Sequence, residues 1–182
     1  VEFTRKRHRL DWNEYIGEKW FFITMCCEHH EPFFLTSDKA GWIADSLRAE
    51  SVRHQFIVDA FCVMPDHLHF LAMGLAPTRN LLNFSKSFKQ KTAFLYQKQH
   101  GLRLWQKNFY DHILRPGETP NHVAAYIWMN PVRKGLCKNF EEYPFSGSLT
   151  RPWRISSDME IWMPPWKETK DTRLKAGATG TP

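Results

Sequence analysis

The sequence predicts an α+β fold of the ferredoxin-like, split βαβ kind: an antiparallel sheet with helices on one face and an additional helix near its C-terminal end. Three observations predict it. Four runs rich in aromatic and β-branched residues have the length of strands. Two amphipathic stretches separate them in the order β-α-β-β-α-β. The 182 residues are enough for one core, since a chain this size buries roughly 70% of its unfolded surface.

The first run, "WFFITMCC" at 20–27, reads as a strand buried on both faces. Ser37 and Asp38 offer an N-cap for a helix to about residue 52, with Trp42, Ile43 and Leu47 on one side. "QFIVDAFCVM" (55–64) is the second strand, Met64-Pro65-Asp66 the turn, and "HLHFLAM" (67–73) the returning hairpin partner. From about 78 to 99, Leu81, Phe84, Phe88 and Leu95 fall at helical spacing, with Lys86, Lys89 and Lys91 elsewhere on the helix. "NFYDHILR" (108–115) is the fourth strand. The additional helix then begins at a Thr119 cap followed by Pro120, and stops at Gly135. Residues 1–163 are expected to form one domain with a basic arm, and 164–182, poor in apolar residues, a disordered tail.

Composition narrows the function. Lys and Arg exceed Asp and Glu by 25 to 19, and the excess is clustered in "RKRHR", "KSFKQK" and "RKGLCK". Clustered cations favour a polyanion, most often nucleic acid; a set of ordinary solvated faces is the competing reading. The four cysteines include no C-x-x-C pair, so neither a disulfide framework nor a cysteine zinc site is suggested. No apolar run reaches membrane-spanning length and no signal peptide precedes the charged start, which points to a cytoplasmic protein without a membrane partner.

Within the third strand, His67 and His69 project to one face, because side chains alternate along a strand. Their imidazoles can converge on one ion. Nine histidines in 182 residues give about 0.4 such pairs by chance, so the motif alone is weak. A second constellation strengthens it. His122, Tyr126, Asn130 and Arg133 lie on one stripe of the additional helix, expected to face away from the apolar contacts of Val123, Ala124 and Ile127. Asn130 precedes Pro131, which disfavours helix there and predicts an irregular last turn. Tyr110 competes with Tyr126 as the reactive phenol, because "FYDHILR" also offers Asp111 and His112 around it. Tyr15, Tyr96 and Tyr143 read as core or surface.

"MPDHLHFL", "NFYDHILR" and "YIWMNPVRKGL", in this order and spacing, resemble the single-tyrosine HUH transposases, and most closely the REP-associated tyrosine transposases within them. The resemblance spans about residues 15 to 150. It implies a ferredoxin-like sheet with a catalytic helix, and cleavage of single-stranded DNA at palindromic hairpins through a 5′-phosphotyrosine. By motif, Tyr126 is the nucleophile, His67 and His69 are metal ligands, and Asn130 is the third ligand where insertion-sequence relatives usually carry glutamine. The implied metal is Mg²⁺ or Mn²⁺; imidazole ligands by themselves equally allow Zn²⁺. Tyr110, Asp111, His112 and His122 are the candidates to support these ligands from behind.

For DNA, Arg5, Lys6, Arg7 and Arg9 of the arm, Lys86, Lys89 and Lys91 of the basic helix, and Arg133 and Lys134 beside the tyrosine are the expected phosphate contacts. Trp105 and Trp128 are either stacking platforms or core. A hairpin-binding protein of the same fold without catalysis, and a metal-dependent hydrolase that uses water, stay open beside the transposase reading. So do the monomer and the homodimer.

Overall fold

A computed structural model describes residues 11–152 and 162–165. The basic arm and the tail from residue 166 onward, with Arg5, Lys6, Arg7 and Arg9, lie outside the described residues. Among the described residues five strands, β1 (Trp20–Cys26), β2 (Phe56–Met64), β3 (His67–Gly74), β4 (Tyr110–Ile113) and β5 (Ser146–Gly147), form one sheet in the order β4-β1-β3-β2-β5. All neighbours are antiparallel. β3 is central because the Pro65-Asp66 turn returns the chain beside β2 while β1 pairs with its other edge.

Alternation along the strands splits the side chains between two cores. Phe21, Ile23, Met25, Phe70 and Ala72 face α1 (Ser37–His54) and α2 (Leu81–His100), packing on Ile43, Leu47, Leu81, Phe84 and Phe88. Phe22, Cys62 and Leu71 face the other way, onto Val123, Ala124 and Ile127 of α3 (Pro120–Trp128). The register of β2 shifts between Val58 and Ala60, so Val58 belongs to the first core and Ala60 to the second. Asp59, at that bulge, accepts two bonds of 2.7 Å from the Arg151 guanidinium, which ties the segment after β5 to the sheet.

The helix ends differ from expectation in explicable ways. Thr36, rather than Ser37 or Asp38, occupies the first cap, without a side-chain bond, and Gln55 ends α1 in a left-handed conformation. α2 starts at Leu81, where Asn80 accepts the Asn83 N–H. Lys89 of its basic side donates to the Gln106 and Lys107 carbonyls, and Lys91 pairs with the buried Glu50 of α1 at 3.0 Å. β4 is shorter than the run 108–115. Thr119 does cap α3, accepting the His122 N–H, and Pro120 opens it.

The additional helix is two helices. α3 ends at Trp128 and a single turn, α4 (Asn130–Arg133), follows. Pro131 carries no N–H for the Ile127 carbonyl four residues back. Asn130 Nδ2 donates to the Ile127 and Tyr126 carbonyls instead, at 3.4 and 3.1 Å, and Arg133 Nη2 joins at the Tyr126 carbonyl at 2.7 Å. β5, too short to leave a periodic pattern, was not expected.

Candidate metal and nucleophile site

His67 and His69 share the α3 face of the sheet with Thr24 and Phe22, since cross-strand pairing sets Thr24 opposite His69 and Phe22 opposite Leu71. Their Nε2 atoms are 3.1 Å apart. Each Nδ1 has a partner behind it: Asp66 Oδ1 at 2.6 Å for His67 and Thr24 Oγ1 at 2.8 Å for His69. Two ligands at right angles on an octahedral ion with bonds near 2.1 Å lie about 3.0 Å apart, and on a tetrahedral Zn²⁺ about 3.3 Å. The observed separation lets both nitrogens reach one divalent cation, and it is also a hydrogen-bond distance. No cluster of three His, Cys, Asp or Glu side chains occurs among the described residues.

The Tyr126 ring packs beside this pair. Its centroid is 6.3 Å from that of His69 and 5.9 Å from that of Phe22, and the Arg133 guanidinium lies 4.1 Å over it. Burial pushes the Tyr126 phenol above its ordinary pKa, and the Arg133 charge pulls it part of the way back. The expectation that the Tyr126 stripe faces away from the apolar contacts is corrected: Tyr126 is 4% and Asn130 5% exposed, and every residue from Val123 to Trp128 is buried. α3 packs on the sheet in one cluster with Tyr143 and Trp162: the Trp162 ring lies 5.4 Å from that of Tyr126 and 5.2 Å from that of Phe22, and the Tyr143 hydroxyl donates to the Val63 carbonyl. Polar exposure on α3 is confined to its first turn, at Asn121 and in part at His122.

Of the supporting candidates, Tyr110 lies on the correct face, opposite Thr24, 40% exposed, with its ring edge toward Phe22 at 6.3 Å. Burial of its hydroxyl, with Asp111 nearby, raises the Tyr110 pKa strongly. Asp111 itself is on the opposite face, where it accepts the Tyr15 hydroxyl at 2.9 Å. His112 shares the site's face but binds Glu118 at 2.7 Å, and that carboxylate also accepts the Trp162 indole N–H. His122 is half-buried on α3, and its carbonyl accepts the Trp162 N–H. Tyr15, Tyr96 and Tyr143 are in the core. So are Trp105 and Trp128, whose indoles donate to Thr92 and to the Gly147 carbonyl. Lys86 and Lys134 are exposed, while Lys89, Lys91 and Arg133 have partners within the chain.

Sequence reasoning missed Thr24, Asp66, Glu118 and Trp162. Asp66 stands next to His67, yet its turn signal already explained it. Thr24 could be found only through strand register, 45 residues from His69.

The family profile described as "Transposase IS200 like" matches residues 21–128. The chain is 31% identical over 132 residues to the REP-associated tyrosine transposase of Escherichia coli (strain K12), covering 71% of this chain and 76% of the relative. A Haemophilus influenzae (strain Rd) protein, named as a candidate REP-associated tyrosine transposase, is 24% identical over 170 residues, 85% of this chain and 91% of the relative. A solved REP-associated tyrosine transposase bound to a REP hairpin superposes with a TM-score of 0.62 at 21% identity, over 85% of this chain and all of that one.

Proposed function

The chain belongs to the IS200-like transposase family, and from that premise we propose that it cuts and rejoins single-stranded DNA at palindromic hairpins through a covalent phosphotyrosine on Tyr126. The observation that carries the reading is the meeting, from distant parts of the chain, of two imidazole nitrogens 3.1 Å apart with the Tyr126 ring beside them. A hairpin-bound relative of the same fold supports a folded palindrome as the substrate.

The Tyr126 oxygen attacks the phosphorus, its proton departs, and the bond from phosphorus to the 3′ oxygen breaks. The products are a 5′-phosphotyrosine ester and a free 3′-hydroxyl. Because the ester conserves the bond energy, attack by another 3′-hydroxyl reverses the step and joins strands without ATP. His67 and His69 would hold Mg²⁺ or Mn²⁺, with Asn130 the candidate third ligand through its amide oxygen, and the chemistry such a cation would supply is neutralisation of charge on the non-bridging oxygens of the phosphate. Arg133 stabilises the phenoxide that burial disfavours. Lys86 and Lys134, exposed, and the basic arm are the proposed contacts to the flanking phosphates.

Incubation with a labelled single-stranded palindrome and Mn²⁺ tests this. A covalent adduct abolished by Tyr126→Phe supports the transferase. The 4% exposure of Tyr126 favours a second reading, a hairpin-binding protein that does not cut, which predicts binding with no adduct. Cleavage that survives Tyr126→Phe would instead reveal a hydrolase using water.

A further inference from the structure

The partners behind the two imidazoles differ in kind. Asp66 sets a carboxylate oxygen 2.6 Å from His67 Nδ1, and an ionised carboxylate only accepts. His67 is therefore protonated at Nδ1, and its Nε2 presents a lone pair. Backbone bonds fix the turn that carries this carboxylate, from Cys27 N–H to the Asp66 carbonyl and from Phe34 N–H to the Pro65 carbonyl, at 2.8 and 2.9 Å. A threonine hydroxyl, by contrast, donates or accepts. Two lone pairs facing each other at 3.1 Å repel unless a proton or a cation lies between them.

We infer that Thr24 is a switch for the tautomer of His69 while Asp66 is a lock for that of His67. Without metal, Thr24 Oγ1–H donates to His69 Nδ1, and His69 Nε2–H donates to His67 Nε2. With metal, the proton leaves His69 Nε2 for solvent, another arrives at Nδ1, and the Thr24 hydroxyl turns to accept it. His69 stays neutral and no net proton is exchanged. Phe22, stacked on His69 at 5.4 Å and 30°, holds the ring plane, so the exchange needs no ring flip. Thr24 and Asp66 are positioning residues, and the inference rests on the reading of His67 and His69 as the metal-holding pair.

Nitrogen-15 NMR of the histidine rings tests it, in EDTA and with Zn²⁺ as a diamagnetic probe, alongside calorimetric titration with Mn²⁺ on the full chain. His67 should be the Nδ1–H tautomer in both states, and His69 should change from Nε2–H to Nδ1–H. Thr24→Val should weaken Mn²⁺ binding about 10- to 100-fold, and Thr24→Ser should restore it. Finding His69 already Nδ1–H in EDTA, or Thr24→Val binding Mn²⁺ as wild type does, overturns the switch. If His67→Ala binds Mn²⁺ as tightly as wild type, or wild type binds none, the metal reading itself falls, and the switch with it.

Discussion

Replacing Asn130 with alanine should destabilise the protein even when no metal is present. Pro131 removes the N–H that the Ile127 carbonyl would otherwise accept, and the Asn130 amide donates there at 3.4 Å and to the Tyr126 carbonyl at 3.1 Å. At 5% exposure, water does not replace a deleted amide easily, and a buried carbonyl stripped of its donor costs about 1–3 kcal/mol. The Tyr126 carbonyl keeps Arg133 at 2.7 Å, and the bond to Ile127 is long, which places the loss in the lower part of that range, about 1–2 kcal/mol. Urea unfolding in EDTA should show the midpoint fall with the slope unchanged. Pro131→Ala returns an N–H, so Asn130→Ala should cost less in that background, with a coupling of about 0.5 kcal/mol or more. A loss below about 0.5 kcal/mol, or a cycle without coupling, would refute the argument and leave ligation as the role for the amide.

Arg133→Gln removes the charge that offsets burial at Tyr126, so the limb of the cleavage-rate profile governed by the phenol should move to higher pH; an unmoved limb would detach Arg133 from the nucleophile. Arg151→Ala leaves Asp59 largely buried without its bidentate partner and should cost about 1–3 kcal/mol by chemical denaturation, less than a fully buried pair because the Arg151 end is solvated. Burial alone would raise the pKa of Glu50, but bonds from Ser87 and Lys91 more than offset it and hold the carboxyl below its ordinary value. Its contribution is therefore present above about pH 4.3 and lost as pH falls through the lower folded value. Glu50→Gln should flatten the acid side of the stability profile, and an unchanged slope between wild type and variant would contradict this.

The four main strands were legible because each announces itself by composition, and the hairpin turn fixes β2 beside β3. The imidazole pair was legible for the same reason, since period two alone puts His67 and His69 together. What escaped depends on contacts between distant segments. The outward aspect assigned to Tyr126 failed because helical spacing tells which residues share a stripe, while Tyr143 and Trp162, which share its buried cluster, come 17 or more residues later in the chain. The irregular turn at Asn130-Pro131 was readable from proline chemistry, but its repair by two side chains was not. Asp111 and His112, adjacent in sequence, part to opposite faces as strand residues must, so only one of them could stand near the site.

Tyr126 is the residue proposed to join DNA. Mass spectrometry of peptides from the full chain, after reaction with a single-stranded palindrome and Mn²⁺, tests it most directly. A nucleotide adduct on Tyr126, lost in His67→Ala and His69→Ala, is the predicted result. An adduct on the exposed Tyr110, or strand cleavage with every tyrosine unmodified, would contradict the account.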